Sequence, residues 1–222
     1  MKRTFFITGT DTGVGKTVLT ALLVKCLREG GVNAAALKPI CSGGRGDALN
    51  LFSAMEGALS LDEINPWHFR APVAPLLAAR QENRKVRLPQ VLAHVRAIQK
   101  RFEFLAVEGA GGLLSPLGQY FNSRDLILAL RATPLVVAPN CLGTVNQVLL
   151  TLEALPEAFR RKAKLVLVSP AKPDIATQTN ARLLTQFFDD KRTFELPRLG
   201  GDFAIGSISI APQVRQILRA LI

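Results

Sequence analysis

Histidine, cysteine and long apolar runs are all scarce in this 222-residue chain. Its three cysteines, Cys26, Cys41 and Cys141, lie far apart. An odd, scattered set builds no disulfide framework, and no pair has the spacing of metal ligands. Two histidines, His68 and His94, cannot make a histidine-rich metal centre. A Ser-His-Asp hydrolase would need one of them, and nothing around either supports that use. No uninterrupted apolar run approaches the ~20 residues of a membrane span. The first apolar stretch, Thr4-Phe5-Phe6-Ile7-Thr8, is too short for a signal-peptide core, and Asp11 follows it closely. A cytoplasmic protein without a membrane partner is the expectation. Linkers, internal repeats and low-complexity segments are lacking too.

What is present points to a folded core. Apolar residues make up 48% and charged residues 20%, which excludes intrinsic disorder. The length suits a single domain spanning residues 1–222. The formal net charge is +11. It is uneven: residues 70–101 hold eight Lys and Arg against one acid, Glu82. A nucleic-acid surface is one reading of that stretch. Aromatics for base stacking are sparse there and no nucleic-acid-binding motif is visible. A solvated face on a protein that handles small anions is the reading we keep, and nucleic acid is not an expected partner.

Short apolar runs alternate with helical patterns along the chain. Strands are predicted at 4–8, 33–38, 102–107, 135–139, 164–169 and 193–196. Helices are predicted at 16–30, 47–56, 88–101, 123–131, 144–155, 175–190 and 212–221. Several strands show little alternation, as strands covered on both faces do. The expected fold is therefore α/β, with a mainly parallel central sheet flanked by helices on both faces. Ligands in such folds bind at the carboxyl ends of the strands. The segment 42–47 is glycine-rich and reads as a loop.

Four motifs sit at those carboxyl ends. The first is Gly9-Thr10-Asp11-Thr12-Gly13-Val14-Gly15-Lys16-Thr17, between a strand and a helix. Its glycines let backbone N–H groups face phosphate oxygens, and the helix start adds positive potential. Lys16 would bridge the β- and γ-phosphates, and the Thr17 hydroxyl would bind Mg²⁺. Five residues separate Gly9 from Gly15, one more than the common pattern, so this is a variant P-loop. The second motif is Val107-Glu108-Gly109-Ala110-Gly111-Gly112, which offers a metal carboxylate and room for a substrate against the backbone. The third is Lys38-Pro39-Ile40-Cys41-Ser42-Gly43, with a lysine placed to stabilise charge during phosphoryl transfer. Asp47 follows as a second candidate metal carboxylate. The fourth, Pro139 to Asn146, opens a helix whose free N–H groups suit a carboxylate; ordinary capping by Thr144 explains it equally well.

In combination these residues resemble the dethiobiotin synthetase family of P-loop NTPases. The match runs in order through the P-loop, Lys38-Pro39, Ser42-Gly43, Asp47-Ala48, Asn65-Pro66, Ala74-Pro75, the Glu-Gly-Ala-Gly-Gly run at Glu108 and Gly143-Thr144-Val145-Asn146. The resemblance implies that 7,8-diaminopelargonate takes up CO₂ as a carbamate. ATP then phosphorylates the carbamate, and the second amine closes a cyclic urea with release of phosphate and ADP. It implies Mg²⁺ on Thr17, Asp47 and Glu108, and catalysis by Lys16 and Lys38. The nucleotide would contact Thr12, Gly13, Val14, Gly15, Lys16, Thr17 and Glu108. Thr12, Ser42 and Gly111 would meet the substrate. Its carboxylate would be received at Gly143, Thr144, Val145 and Asn146 of the neighbouring subunit of a homodimer.

Three departures from the family pattern stand out. The loop between Ser42 and Asp47 is short. The chain reads Ala74-Pro75-Leu76 where a Ser-Pro-His segment is frequent. The strand whose final Asn reads adenine in the family ends here in Val168-Ser169-Pro170, with Pro197 expected along the base. Ser169 lacks an amide's paired donor and acceptor, so CTP or GTP could replace ATP. A switch ATPase that partitions DNA shares the P-loop but carries an extra lysine early in it; here Asp11 holds that place. An amidating cobyrinate-type ligase would append a glutamine-hydrolysing domain, for which the chain has no room. A non-catalytic relative would not be expected to keep Lys16, Thr17, Lys38 and Glu108.

Overall fold

A computed structural model describes residues 2–188, 190–198 and 209–222. The chain opens with β1 (Arg3–Gly9), α1 (Lys16–Glu29) and β2 (Ala34–Leu37). A side excursion follows: β3 (Ile40–Ser42), α2 (Gly46–Ala54), α3 (Leu61–Ile64), β4 (Trp67–Phe69) and α4 (Pro75–Gln81). Helix α5 (Leu88–Gln99) leads back to β5 (Phe104–Gly112). A small hairpin of β6 (Pro116–Gly118) and β7 (Phe121–Asn122) precedes α6 (Ser123–Leu130) and β8 (Thr133–Pro139). Then come α7 (Thr144–Glu153), α8 (Glu157–Arg160), β9 (Lys164–Val168), α9 (Ile175–Leu184), β10 (Thr193–Leu196) and α10 (Pro212–Ala220).

The main sheet has the order β10-β9-β8-β1-β5-β2, and every pair in it is parallel. Successive side chains of a strand point to opposite faces. Consecutive residues Phe5 to Gly9 of β1 and Pro134 to Ala138 of β8 are nonetheless all buried. Both faces of the sheet must therefore be covered. Helix α1 packs with α2 and α10, and α5 packs with α6 against β1 and β5. The strands after β1 go first to its β5 side and later to its β8 side. That change of direction opens a crevice at the carboxyl ends of β1 and its neighbours.

Two predicted boundaries are corrected. The strand expected to end at Val107 continues to Gly112, because Glu108 still pairs with β1 and, past a break in register at 109–111, Gly112 pairs with Gly9. Helix α9 ends at Leu184 rather than at residue 190. Turn residues follow it, Asp190–Arg192 form a 3₁₀ turn, and residue 189 lies outside the described residues. The expected loop 42–47 also gives up its last two residues to α2. No described helix is long and apolar enough to cross a membrane.

The positive surplus has a structural use. Helices in this fold run back against the strands, so their carboxyl ends gather at the strands' amino ends. Unpaired carbonyls and the negative end of the helix dipole favour cations there. Arg3 donates to the Ile222 carbonyl at 2.9 Å and Lys164 to that of Leu221 at 2.7 Å, just past α10. Lys2 caps Lys100 at the end of α5, and Arg192 caps Arg161 after α8. Within the basic stretch, Arg84 lies 4.8 Å over the Phe69 ring, Arg96 donates to Ala129 in α6, and Arg101 pairs with Glu63.

Candidate active site

The P-loop joins the carboxyl end of β1 to the first turn of α1. Gly15 caps that helix in the left-handed region, φ 100°, with no side-chain cap. A Cβ at Gly15 would also approach Val168 at 3.3 Å, so glycine is required by both backbone and space. The arrangement leaves amide donors at the helix start free to face an anion. Lys16 is buried and its ammonium donates to the Asp11 carbonyl at 2.7 Å, folding the side chain back over the loop. Burial, and then the Lys38 charge, pull Lys16 down from 10.5 to about 8.

Three separate segments meet beside it. Glu108 of β5 is 1% exposed. Its Oε1 accepts from Thr17 Oγ1 at 2.7 Å and from Lys38 Nζ at 2.6 Å. Lys38 Nζ also lies 2.8 Å from Asp47 Oδ2. Burial alone would depress the Lys38 ammonium, but Glu108 and Asp47 outweigh it and hold the group above an ordinary lysine. Burial would likewise raise Asp47, yet Lys38 keeps its carboxyl below the usual range. Glu108 Oε2 is buried with no hydrogen-bond partner. An orphaned carboxylate oxygen beside a second carboxylate and a threonine hydroxyl is an all-oxygen donor set, which suits a hard divalent cation. No cluster of three or more His, Cys, Asp and Glu occurs among the described residues.

A cleft of about 690 Å³ opens over this group, lined also by Thr12, Ser42, Gly111 and Ser115. Gly111 has φ +68° and a Cβ there would stand 2.4 Å from Ser115 Oγ. The chemistry on offer is anion binding, charge neutralisation and cation coordination.

Comparison with known proteins decides the family. Residues 3–201 match the family described as AAA domain. An ATP-dependent dethiobiotin synthetase BioD of Anaeromyxobacter sp. (strain Fw109-5) is 47% identical over 157 residues, covering 69% of this chain and 70% of that protein. One from Akkermansia muciniphila is 40% identical over 188 residues, covering 84% and 88%. The chain belongs to the ATP-dependent dethiobiotin synthetase family. The ParA family ATPase from Chlorobium tepidum TLS superposes with TM-score 0.62 at 12% identity, covering 100% of this chain and 99% of that one. The MinD cell division protein of Aquifex aeolicus gives 0.55 at 16%, covering 99% and 94%. At such identities the likeness is one of fold.

The structure does not bring every predicted residue of this dethiobiotin synthetase family member into the cleft. Thr12, Ser42 and Gly111 line it, but Gly143 to Asn146 do not. They start α7, where Thr144 is buried and its hydroxyl caps the Pro139 carbonyl, and Leu142 beside them is 88% exposed. Ser169, Pro170 and Pro197 also lie off the cleft lining. Ser169 follows Val168, which abuts Gly15, and its N–H donates to the Leu196 carbonyl at 2.9 Å, one residue before Pro197. The sequence reading missed Cys41, Asn50, Val73 and Ser115 as lining residues. Ser115 had a legible signal, a hydroxyl three residues after the glycine run, where it accepts from the Gly112 N–H at 2.9 Å. Val73 had none, since it contributes its carbonyl, which accepts from Ser42 Oγ at 2.6 Å.

Proposed function

We propose that this chain performs the dethiobiotin synthetase reaction: 7,8-diaminopelargonate, CO₂ and ATP give dethiobiotin, ADP and phosphate. The observation that carries the reading is the convergence of Lys16 and Thr17 with Lys38, Asp47 and Glu108 at one cleft. An amine of the substrate adds to CO₂ and loses a proton, giving a carbamate. A carbamate oxygen attacks the γ-phosphorus, the bond to the β-γ bridging oxygen breaks, and ADP leaves. The second amine then attacks the mixed anhydride carbon, closing the urea and expelling phosphate.

The substrate supplies the nucleophiles, so the protein's work is positioning and charge neutralisation. Amides of the P-loop and α1 receive the phosphates. Lys16 leaves the Asp11 carbonyl to reach the β- and γ-phosphates, and Lys38 faces the carbamate and the phosphoryl group in transfer. Thr12, Ser42 and the Gly111 backbone hold the carbamate and amines. Thr17, Asp47 and Glu108 would hold Mg²⁺, which when bound supplies Lewis-acid neutralisation of phosphate charge. The substrate carboxylate goes to Gly143–Asn146 of a second copy in a homodimer. Exposed Leu142, just before α7, and Leu150, within it, support this interface.

The direct test is ADP release with Mg·ATP, bicarbonate and diaminopelargonate, omitting each in turn. Turnover that requires all of them is the expected result; ADP release indifferent to the diamine would overturn the assignment. Base selection is a separate prediction. Ser169, Pro170 and Pro197 would border the base, and Ser169 offers one hydroxyl. The wild type should use CTP or GTP within about tenfold of ATP, a gap of no more than ~1.4 kcal/mol. Ser169→Asn should widen the preference for ATP by another factor of about ten, the worth of one added hydrogen-bond pair. Relative kcat/KM for the three nucleotides reads both.

A further inference from the structure

Asn65-Pro66 is one of the pairs on which the sequence resembles the family, yet nothing so far gives it a task. Asn65 is fully buried, 0% exposed, and ends α3 outside the cleft lining. Its Nδ2 donates to the Lys38 carbonyl at 2.6 Å. Its Oδ1 accepts from Arg45 Nε at 3.3 Å and from the Cys41 thiol at 3.2 Å. The backbone around it completes the grip. The Lys38 N–H donates to the Ile64 carbonyl at 3.0 Å, and the Trp67 N–H donates to the Pro39 carbonyl at 3.1 Å. Lys38 is thus held through both its N–H and its carbonyl by the end of α3.

Arg45 stands at the end of the short loop, as the N-cap of α2, whose first turn carries Asp47. Its guanidinium donates to the carbonyls of Leu61 at 2.8 Å and Asn65 at 3.1 Å, and meets Asp62 Oδ1 at 2.8 Å. Gly44 upstream in the same loop accepts from the Cys41 thiol at 3.0 Å. A five-donor planar fork aimed at four oxygens fixes a backbone far better than one flexible contact. Two residues further on, Asp47 reaches Lys38.

We infer that Asn65 and Arg45 form a clamp that positions Lys38 and Asp47 against Glu108, so that the shortened loop still delivers its carboxylate to the cation-binding group. Both are positioning residues outside the cleft lining: Asn65 acts through the Lys38 carbonyl, and Arg45 by tying its own stretch of chain, two residues before Asp47, to the end of α3. The inference rests on the proposed use of Asp47 as a metal ligand.

The test pairs two readouts on Arg45→Ala, a side chain 22% exposed, with Asn65→Ala as the fully buried counterpart and Arg45→Lys as the conservative one. Hydrogen exchange of ligand-free protein reads the loop; Mn²⁺ affinity with a non-hydrolysable ATP analogue reads the carboxylate. Arg45→Ala should raise exchange at residues 43–49 about tenfold, lower Mn²⁺ affinity about tenfold and move the melting temperature by less than about 3 °C. Arg45→Lys should recover part of each effect. Asp47→Asn should lower Mn²⁺ affinity by itself, and adding Arg45→Ala to it should cost little more, because both act on one carboxylate. Unchanged loop exchange in Arg45→Ala overturns the clamp. Faster exchange with unchanged Mn²⁺ affinity, or full additivity with Asp47→Asn, overturns its positioning role. A wild type whose Mn²⁺ affinity does not respond to Asp47→Asn overturns the metal reading itself, and the positioning role with it.

Discussion

Lys38→Met is expected to abolish turnover and to lower the melting temperature by roughly 10 °C. Lys38 is the cation that lets two carboxylates stand together: its ammonium is 2.6 Å from Glu108 and 2.8 Å from Asp47. Removing one partner of a buried ion pair leaves an uncompensated charge and costs about 3–5 kcal/mol. For a chain of this size each kcal/mol is worth about 2–4 °C. The loss should be recovered in two ways. Glu108→Gln on top of Lys38→Met removes the stranded charge, and stability should return while activity does not. Mn²⁺ or Mg²⁺ should also raise the melting temperature of Lys38→Met far more than that of the wild type. If Asp47 and Glu108 hold a divalent cation as proposed, the wild-type ammonium competes with it for the same two carboxylates. Lys38→Met should accordingly bind Mn²⁺ about tenfold more tightly without nucleotide. Calorimetry and thermal melts with and without metal decide the matter; a variant as stable as the wild type and indifferent to metal would contradict it.

Lys16→Met should separate activity from stability in the opposite sense. Burial and the neighbouring Lys38 hold Lys16 at about 8 instead of 10.5. The folded state therefore disfavours the ammonium that the unfolded chain carries freely. Between about pH 8 and 10.5 the unfolded chain binds more protons, so stability of the ligand-free wild type rises with pH across that window. Below pH 8 the cost is carried in full, about 3 kcal/mol, and is partly offset by the hydrogen bond to the Asp11 carbonyl. Methionine of similar length removes both, and a net gain of about 1 kcal/mol, or 2–4 °C, is expected at pH 7. Turnover should fall by about 10³ or more if Lys16, as proposed, neutralises phosphate charge in the transition state. Melting temperatures of the two proteins should meet at about pH 9, with the wild type the more stable of the two by about pH 10. Parallel curves, or a less stable variant at pH 7, would refute the account.

The order of strands and helices was open to reading because burial repeats locally. Runs such as Leu135-Val136-Val137 carry their double-sided burial in composition alone. The Gly30-Gly31 stop marks the end of α1 within one residue of the expected 30; α5 starts at Leu88 as expected but, with no glycine to mark its end, stops at Gln99, two residues early. The short pieces escaped. Strands β3 and β4 have three residues each, and their pairing, Ile40 with Trp67 through Ser42 with Phe69, leaves no periodicity to detect. The end of β5 escaped for another reason. Glycines read as a turn unless a neighbouring strand pairs with them, and β1 does.

The same division runs through the site. By itself the sequence determined the P-loop, the family, and the residue types available for binding anions and a cation. Each of those depends on residues close together in the chain, where spacing and backbone preference act directly. Tertiary structure decided that Lys38, Asp47 and Glu108 share one group of contacts, that Gly143 to Asn146 stand apart from it, and that Asn65 and Arg45 lie behind it. Strand order and register are set by burial against distant segments, and no local pattern records which strand will be the neighbour. A carbonyl that accepts a hydrogen bond, such as that of Lys38, leaves no mark on residue identity at all. That is why the clamp became visible only once the chain was folded.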